Sequence, residues 1–211
     1  MGKHETGYVR VERDFYPTPA WVTATLLDLI DIRSKHIWEP ACGDGRMAEP
    51  LKAAGARVFS TDIEDRGYAA FDGVFDFLSK QDPGLSFDGL ITNPPFGPRG
   101  NLAKVFIEIG LHCMRDGFLA LLLPADFDSA KTRTSLFGSS PQFAGKIVLT
   151  RRIKWFENPT KPKAGPKENS GWFLWGNIDL RTHPNPVIRY APKEHQSHEL
   201  PRGVRLGDLV P

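Results

Sequence analysis

Asn93-Pro94-Pro95-Phe96 are the residues in this chain best suited to chemistry. They follow a short apolar run, Phe87 to Ile91, that reads as a buried strand. Two prolines then stop the strand, and Pro94 biases Asn93 toward an extended or turn conformation. This predicts a stiff loop at the carboxyl end of a strand, the edge of an open α/β sheet where ligands bind. The Asn93 side-chain oxygen and the Pro94 carbonyl are both acceptors, since proline has no N–H to offer. Two acceptors converging on one point hold a planar NH2 group by both hydrogens. A ring such as Phe96 can stack on the flat system that carries the amine. The pattern suits an exocyclic amine of a base, or a carboxamide, presented to an electrophile.

A second constellation lies upstream. Glu39-Pro40-Ala41 ends an apolar stretch, and Cys42-Gly43-Asp44-Gly45 is a tight turn into a helix. Gly43 and Gly45 permit the turn and let a ligand approach the backbone closely. The spacing is neither the dinucleotide fingerprint nor a P-loop. Glu39 suits a cationic ligand group, an ammonium or a sulfonium, and repels a pyrophosphate. The pocket is therefore nucleoside-like and not dinucleotide-like. Asp62 closes the next strand, Arg57 to Asp62, and an acid about twenty residues after such a turn is the usual acceptor for ribose hydroxyls. Ile63 can pack on an adenine face. Asp76, in a brief predicted strand Phe75–Leu78, can accept from an adenine amino group.

The elements that must position these residues follow from periodicity. Phe15-Tyr16-Pro17-Thr18-Pro19 is an extended entry, with Thr18 and Pro19 as N-cap and first residue of a helix reaching about Asp31. Strands are expected at His36–Ala41, Arg57–Asp62, Phe87–Ile91, Phe118–Leu123, Lys146–Thr150 and Gly171–Trp175, with Val187–Tyr190 as an edge. Helices are expected at Met47–Ala54 and Asn101–Arg115, and an amphipathic one near 127–138. Strands alternating with helices argue a mostly parallel sheet covered on both faces.

Between the last two strong strands lies a basic segment with Lys146, Arg151, Arg152, Lys154, Lys161, Lys163 and Lys167 around Trp155 and Phe156. Cations interleaved with aromatics suit phosphate contact and base stacking, and a solvated Lys-rich loop is the plainer alternative. Prolines and glycines mark 156–170 as a mobile basic loop. Composition is that of an ordinary soluble chain: 211 residues, 40% hydrophobic, 25% charged, net charge +2. No apolar run is long enough to span a membrane, and the N-terminus lacks the apolar core of a signal peptide. Cys42 and Cys113 lack metal-ligand spacing, which fits a reduced, cytoplasmic setting. His183, His195 and His198 lack ligand spacing and acidic partners, so no metal site is expected.

Together these residues resemble the class I S-adenosylmethionine-dependent methyltransferases of the N6-adenine type, over roughly Phe15 to Trp175. Phe15-Tyr16-Pro17-Thr18-Pro19 is similar to the motif that touches the methionine moiety, and Glu39 to Gly45 to the cofactor motif. Asp62-Ile63 resembles the ribose acid and its adenine-packing neighbour, Asp76-Phe77 the acid that reads the cofactor's adenine. Asn93-Pro94-Pro95-Phe96 is similar to the catalytic tetrapeptide in its Phe form, in the gamma order of motifs. The resemblance implies a Rossmann-like class I methyltransferase fold, a mostly parallel seven-stranded sheet with helices on both faces. Residues 1–14 would be a flexible N-terminus, 15–190 the methyltransferase domain and 191–211 a tail. It implies S-adenosylmethionine as cofactor, held by Tyr16, Thr18, Pro19, Glu39, Pro40, Ala41, Gly43, Gly45, Asp62, Ile63, Asp76, Phe77 and Asn93. The substrate would be adenine in DNA, flipped from its stack. It would be met by Phe96, Arg151, Lys154, Trp155, Lys161, Lys163, Trp172 and Phe173. Adenine in RNA and a protein glutamine carboxamide are rival substrates, and a non-catalytic nucleic-acid-binding subunit is a rival of another class. The stretch after Trp175 is too short for a separate target-recognition domain, so recognition is expected to be minimal or supplied by a partner. The oligomeric state is open.

Overall fold

The computed structural model describes residues 15–79, 81, 84–114, 116–155 and 168–178, with the backbone of 187–190. Among these residues eight strands form one sheet: β1 (His36–Glu39), β2 (Arg57–Asp62), β3 (Gly73–Val74), β4 (Gly89–Thr92), β5 (Phe118–Pro124), β6 (Phe143–Val148), β7 (Ser170–Gly176) and β8 (Val187–Tyr190). Their order is β3-β2-β1-β4-β5-β7-β6-β8. The first seven in that row are the expected mostly parallel sheet, and β8 adds the anticipated edge, parallel to β6. Among the described residues only β7 runs against its neighbours, pairing antiparallel with both β5 and β6.

Two cores sandwich the sheet. On one face α1 (Ala20–Leu27) and α2 (Ala48–Ala53) bring Val22, Leu26 and Leu51 against Ile37, Ala120, Leu122, Trp172 and Leu174. On the other face α3 (Asn101–Cys113) brings Phe106 and Ile107 against Trp38, Leu90, Leu119, Leu121, Phe173 and Trp175. The alternation along β5 and β7 is the period of two of a strand, and each strand is apolar throughout because both faces are covered.

Three local expectations fail. The amphipathic pattern near 127–138 yields two 3-10 segments, Phe127–Ser129 and Lys131–Leu136, broken at Ala130, which is extended (φ −80°, ψ 128°). Hydroxyls compete for the backbone there, Ser129 donating to the Asp126 carbonyl and Thr134 to that of Lys131. The brief strand at Phe75–Leu78 is instead Gly73–Val74 followed by a 3-10 turn, Phe77–Ser79. The Asp76 carboxylate accepts the Leu78 N–H and bends the chain away from the sheet. Helix α1 stops at Leu27, four residues before the expected end.

The order reverses between β1 and β4, where the crossovers leave in opposite directions. Their carboxyl ends are adjacent, with Trp38 beside Leu90. The glycine turn after β1 and the Asn-Pro-Pro-Phe loop after β4 therefore meet at the switch point of the sheet, where α/β folds hold ligands.

Candidate active site

A cleft opens at that switch point. It is lined by Tyr16, Thr18, Glu39, Pro40, Ala41, Gly43, Asp62, Ile63, Asp76, Phe77, Asn93 and Pro95, all expected from the sequence. Phe15 and Asp44, which lie within the expected motifs, line it as well, as do Arg66 and Phe75, which were not foreseen as site residues. Pro19, Gly45 and two of the expected catalytic residues, Pro94 and Phe96, are not among the lining residues. Pro19 flanks the first residue of α1, and the Tyr68 ring covers Gly45.

Asn93 is at the centre. Its Nδ2 donates to the Tyr16 carbonyl and to Thr18 Oγ1, both at 3.1 Å. The donor side of the amide is thereby satisfied, while Oδ1 is buried without a partner. Burying an acceptor unpaired costs about 1–3 kcal/mol. Pro19, not the expected Thr18, is the N-cap of α1, and the Thr18 hydroxyl accepts from Asn93 instead. The sequence separation of 75 residues hides that pairing. Pro94 is buried, and Phe96 is half-buried against the core under α3.

The glycine turn is tied to β2. The Gly43 N–H donates to Asp62 Oδ2 at 2.8 Å, and the Glu64 N–H to Asp62 Oδ1 at 3.2 Å. Gly43 has φ +56°, and a Cβ there would lie 2.7 Å from the Phe15 ring. The close approach that the glycines allow is thus used by the chain's own aromatics. The Arg66 guanidinium covers the Phe15 ring at 4.3 Å. Ile63, 53% exposed, offers an apolar surface beside Asp62. The Phe77 ring turns into the core against Phe106, 4.6 Å away, while Asp76 stays at the cleft.

Glu39 is 2% exposed, and its Oε2 has no hydrogen-bond partner. Burial, then the charges of Asp62 and Asp44, hold its carboxyl well above the ordinary glutamate value, with Lys52 opposing weakly. Burial also pushes the Cys42 thiol up, helped by Glu39 and Asp62, which disfavours its thiolate. A raised carboxyl means that the folded state binds more protons than the unfolded chain, so stability falls as pH rises. Without ligand, the wild-type melting midpoint should drop relative to Glu39→Gln as pH climbs from the ordinary glutamate value of 4.5. A difference that stays constant with pH would show that Glu39 ionisation is not linked to folding.

The expected substrate residues divide. Trp155 packs edge-on to Tyr16 at 5.7 Å, which joins the basic segment to the residue that holds Asn93. Lys154 is beside it in sequence and half-buried, and Arg151 lies 5.1 Å over the Trp21 ring. Lys146 is neutralised by Asp128 at 3.0 Å and is not a free cation. Trp172 and Phe173 correct the expectation outright, since both are completely buried. Trp172 Nε1 donates to the Val22 carbonyl, and Phe173 faces the core under α3. A central strand covered on both faces has no ring to spare for a substrate. Lys161, Lys163, the rest of 156–167, the three tail histidines and residues 1–14 and 191–211 lie outside the described residues.

No family model matches the chain, and no curated protein matches it. Among solved structures it is similar to the methyltransferase subunit of a type I restriction-modification system from Streptococcus thermophilus. That match has TM-score 0.58 and 16% identity over 84% of this chain and 46% of that one. It is also similar to the 16S rRNA N2 G1207 methyltransferase of T. thermophilus in complex with AdoMet and guanosine. There the TM-score is 0.50 and the identity 17%, over 82% of this chain and 45% of that one. The chain spans about half the length of both. At these identities the likeness shows the fold, which is the Rossmann-like class I methyltransferase fold.

Proposed function

We propose that this chain uses its class I methyltransferase fold to transfer a methyl group from S-adenosylmethionine to the exocyclic amino group of adenine. The substrate is a polynucleotide, with DNA preferred and RNA the nearest rival. The observation that supports this most is the Asn93 amide, whose donors are both engaged and whose buried Oδ1 is unpaired. An unpaired acceptor of that kind suits the N–H of a target amine. The solved structures of similar fold include enzymes described as acting on rRNA or serving restriction-modification, which supports a nucleic acid.

The donor set fits the cofactor. S-adenosylmethionine supplies, when bound, an electrophilic methyl group on a sulfonium centre. Glu39 Oε2, buried and unpartnered, would hold a cationic group of it. Asp62 keeps lone pairs beyond its two backbone bonds and would accept ribose hydroxyls. Ile63 would pack on the adenine ring of the cofactor and Asp76 would accept its amine. Asn93 Oδ1 and the Pro94 carbonyl hold the two hydrogens of the target amine, which turns the nitrogen lone pair away from them. Phe96 supports the flipped base from one face, at roughly 1–3 kcal/mol per stacked base. Positioning of the amine supplies most of the rate.

The test is radiolabelled methyl transfer from S-adenosylmethionine to duplex DNA, single-stranded DNA, total RNA and a protein lysate in parallel. Digestion then identifies the modified residue. N6-methyladenine from DNA is the expected product. Label in RNA or in protein glutamine changes the substrate and keeps the chemistry. Cofactor binding with no label in any arm would overturn the reading in favour of a non-catalytic subunit.

A further inference from the structure

Three residues beyond Phe96 the backbone does something locally unfavourable. Arg99 has φ 56° and ψ 21°, the left-handed region that residues with a side chain seldom adopt. A partner distant in sequence holds it there. Arg133 Nη2 donates to the Arg99 carbonyl at 2.6 Å, and Arg133 Nη1 donates to the Phe127 carbonyl at 2.9 Å. The same guanidinium lies 3.7 Å from the centre of the Phe127 ring. Gly100 closes on this clamp, since a Cβ there would come within 2.7 Å of Arg133 Nη2 and 2.8 Å of the Phe127 ring.

The two arginines are used differently. Arg133 is half-buried, with its guanidinium committed to two carbonyls and a ring. The Arg99 side chain is exposed and makes no hydrogen bond, ion pair or ring contact among the described residues. A strained backbone held by its surroundings and carrying an unused cation is the pattern of a ligand contact. Guanidinium is suited to phosphate because its fork matches two oxygens. Three residues reach at most roughly 10 Å, so Arg99 lies within that backbone distance of Phe96.

We propose that Arg99 contacts a backbone phosphate next to the target base, and that Arg133 is the positioning residue that aims it and sets the Asn93–Gly100 loop. The inference rests on the nucleic-acid reading above. Arg99→Gly removes the cation and suits the left-handed backbone, and Arg133→Lys keeps charge but loses the fork. Binding of a fluorescein-labelled, adenine-containing oligonucleotide, as a duplex and as a single strand, is followed by anisotropy over a salt series. Arg99→Gly should weaken binding and reduce the salt slope by about 1, the signature of one lost phosphate contact. Arg133→Lys should lower kcat roughly 10- to 100-fold through loop misplacement, with the KM for S-adenosylmethionine unchanged. The double variant should show no further loss of salt slope beyond Arg99→Gly.

An unchanged salt slope in Arg99→Gly overturns the phosphate contact. An unchanged kcat in Arg133→Lys overturns the positioning role. A wild-type protein that neither binds nor methylates any polynucleotide sinks the functional reading and this contact together. Wild-type binding and methylation with an indifferent Arg99→Gly sinks this contact alone.

Discussion

Asn93→Ala is expected to slow methyl transfer by roughly 10²–10³-fold, the scale of removing one preorganised polar group from an active site. The dissociation constant for S-adenosylmethionine should barely move. The physical reason is the division of labour within the amide. Nδ2 is fixed by the Tyr16 carbonyl and Thr18 Oγ1, which leaves Oδ1 as the group proposed to meet the amine. Alanine removes the unpaired buried Oδ1 but also the Nδ2 donor to the Tyr16 carbonyl and Thr18 Oγ1, so a thermal melt of the variant accompanies the kinetics. Single-turnover transfer and calorimetric cofactor binding separate the outcomes. Full activity would show that the amide has no part in the chemistry. A parallel collapse of cofactor binding would show that its role is to hold Tyr16 and Thr18 in the cleft wall.

Asp62→Ala should act on the other half of the cleft. The carboxylate is buried and ties the glycine turn to the end of β2 through the Gly43 N–H. Its removal takes away a charged hydrogen-bond acceptor, worth about 1.5–3 kcal/mol, and leaves the Gly43 N–H without that partner. The cofactor dissociation constant should rise roughly 10- to 100-fold, since each 1.4 kcal/mol is tenfold. The maximal rate at saturating cofactor should fall much less, because Asp62 lies across the cleft from the Asn-Pro-Pro-Phe loop. An unchanged dissociation constant would sink the ribose role. A lowered melting midpoint with unchanged affinity would reduce Asp62 to a support for the turn.

Sequence by itself determined the fold class, the two loops that meet and most of the cleft wall. Apolar runs covered on both faces read as central strands, and turns of Gly43-Asp44-Gly45 or Pro94-Pro95 are dictated by a few adjacent residues. Such features are local, so they are legible without coordinates. Tertiary structure alone decided the pairings between distant segments. Trp172 and Phe173 look like free aromatics in a sequence, yet β7 inserts between β5 and β6 and buries both. Thr18 satisfies the pattern of a cap, but the adjacency of the entry segment and the β4 loop turns its hydroxyl to Asn93. Arg133 sits in a segment that reads as an amphipathic helix, and only the broken 3-10 path delivers it to the Arg99 carbonyl, 34 residues away. Contacts of that kind depend on which crossovers bring two loops to one edge, and no local preference encodes them.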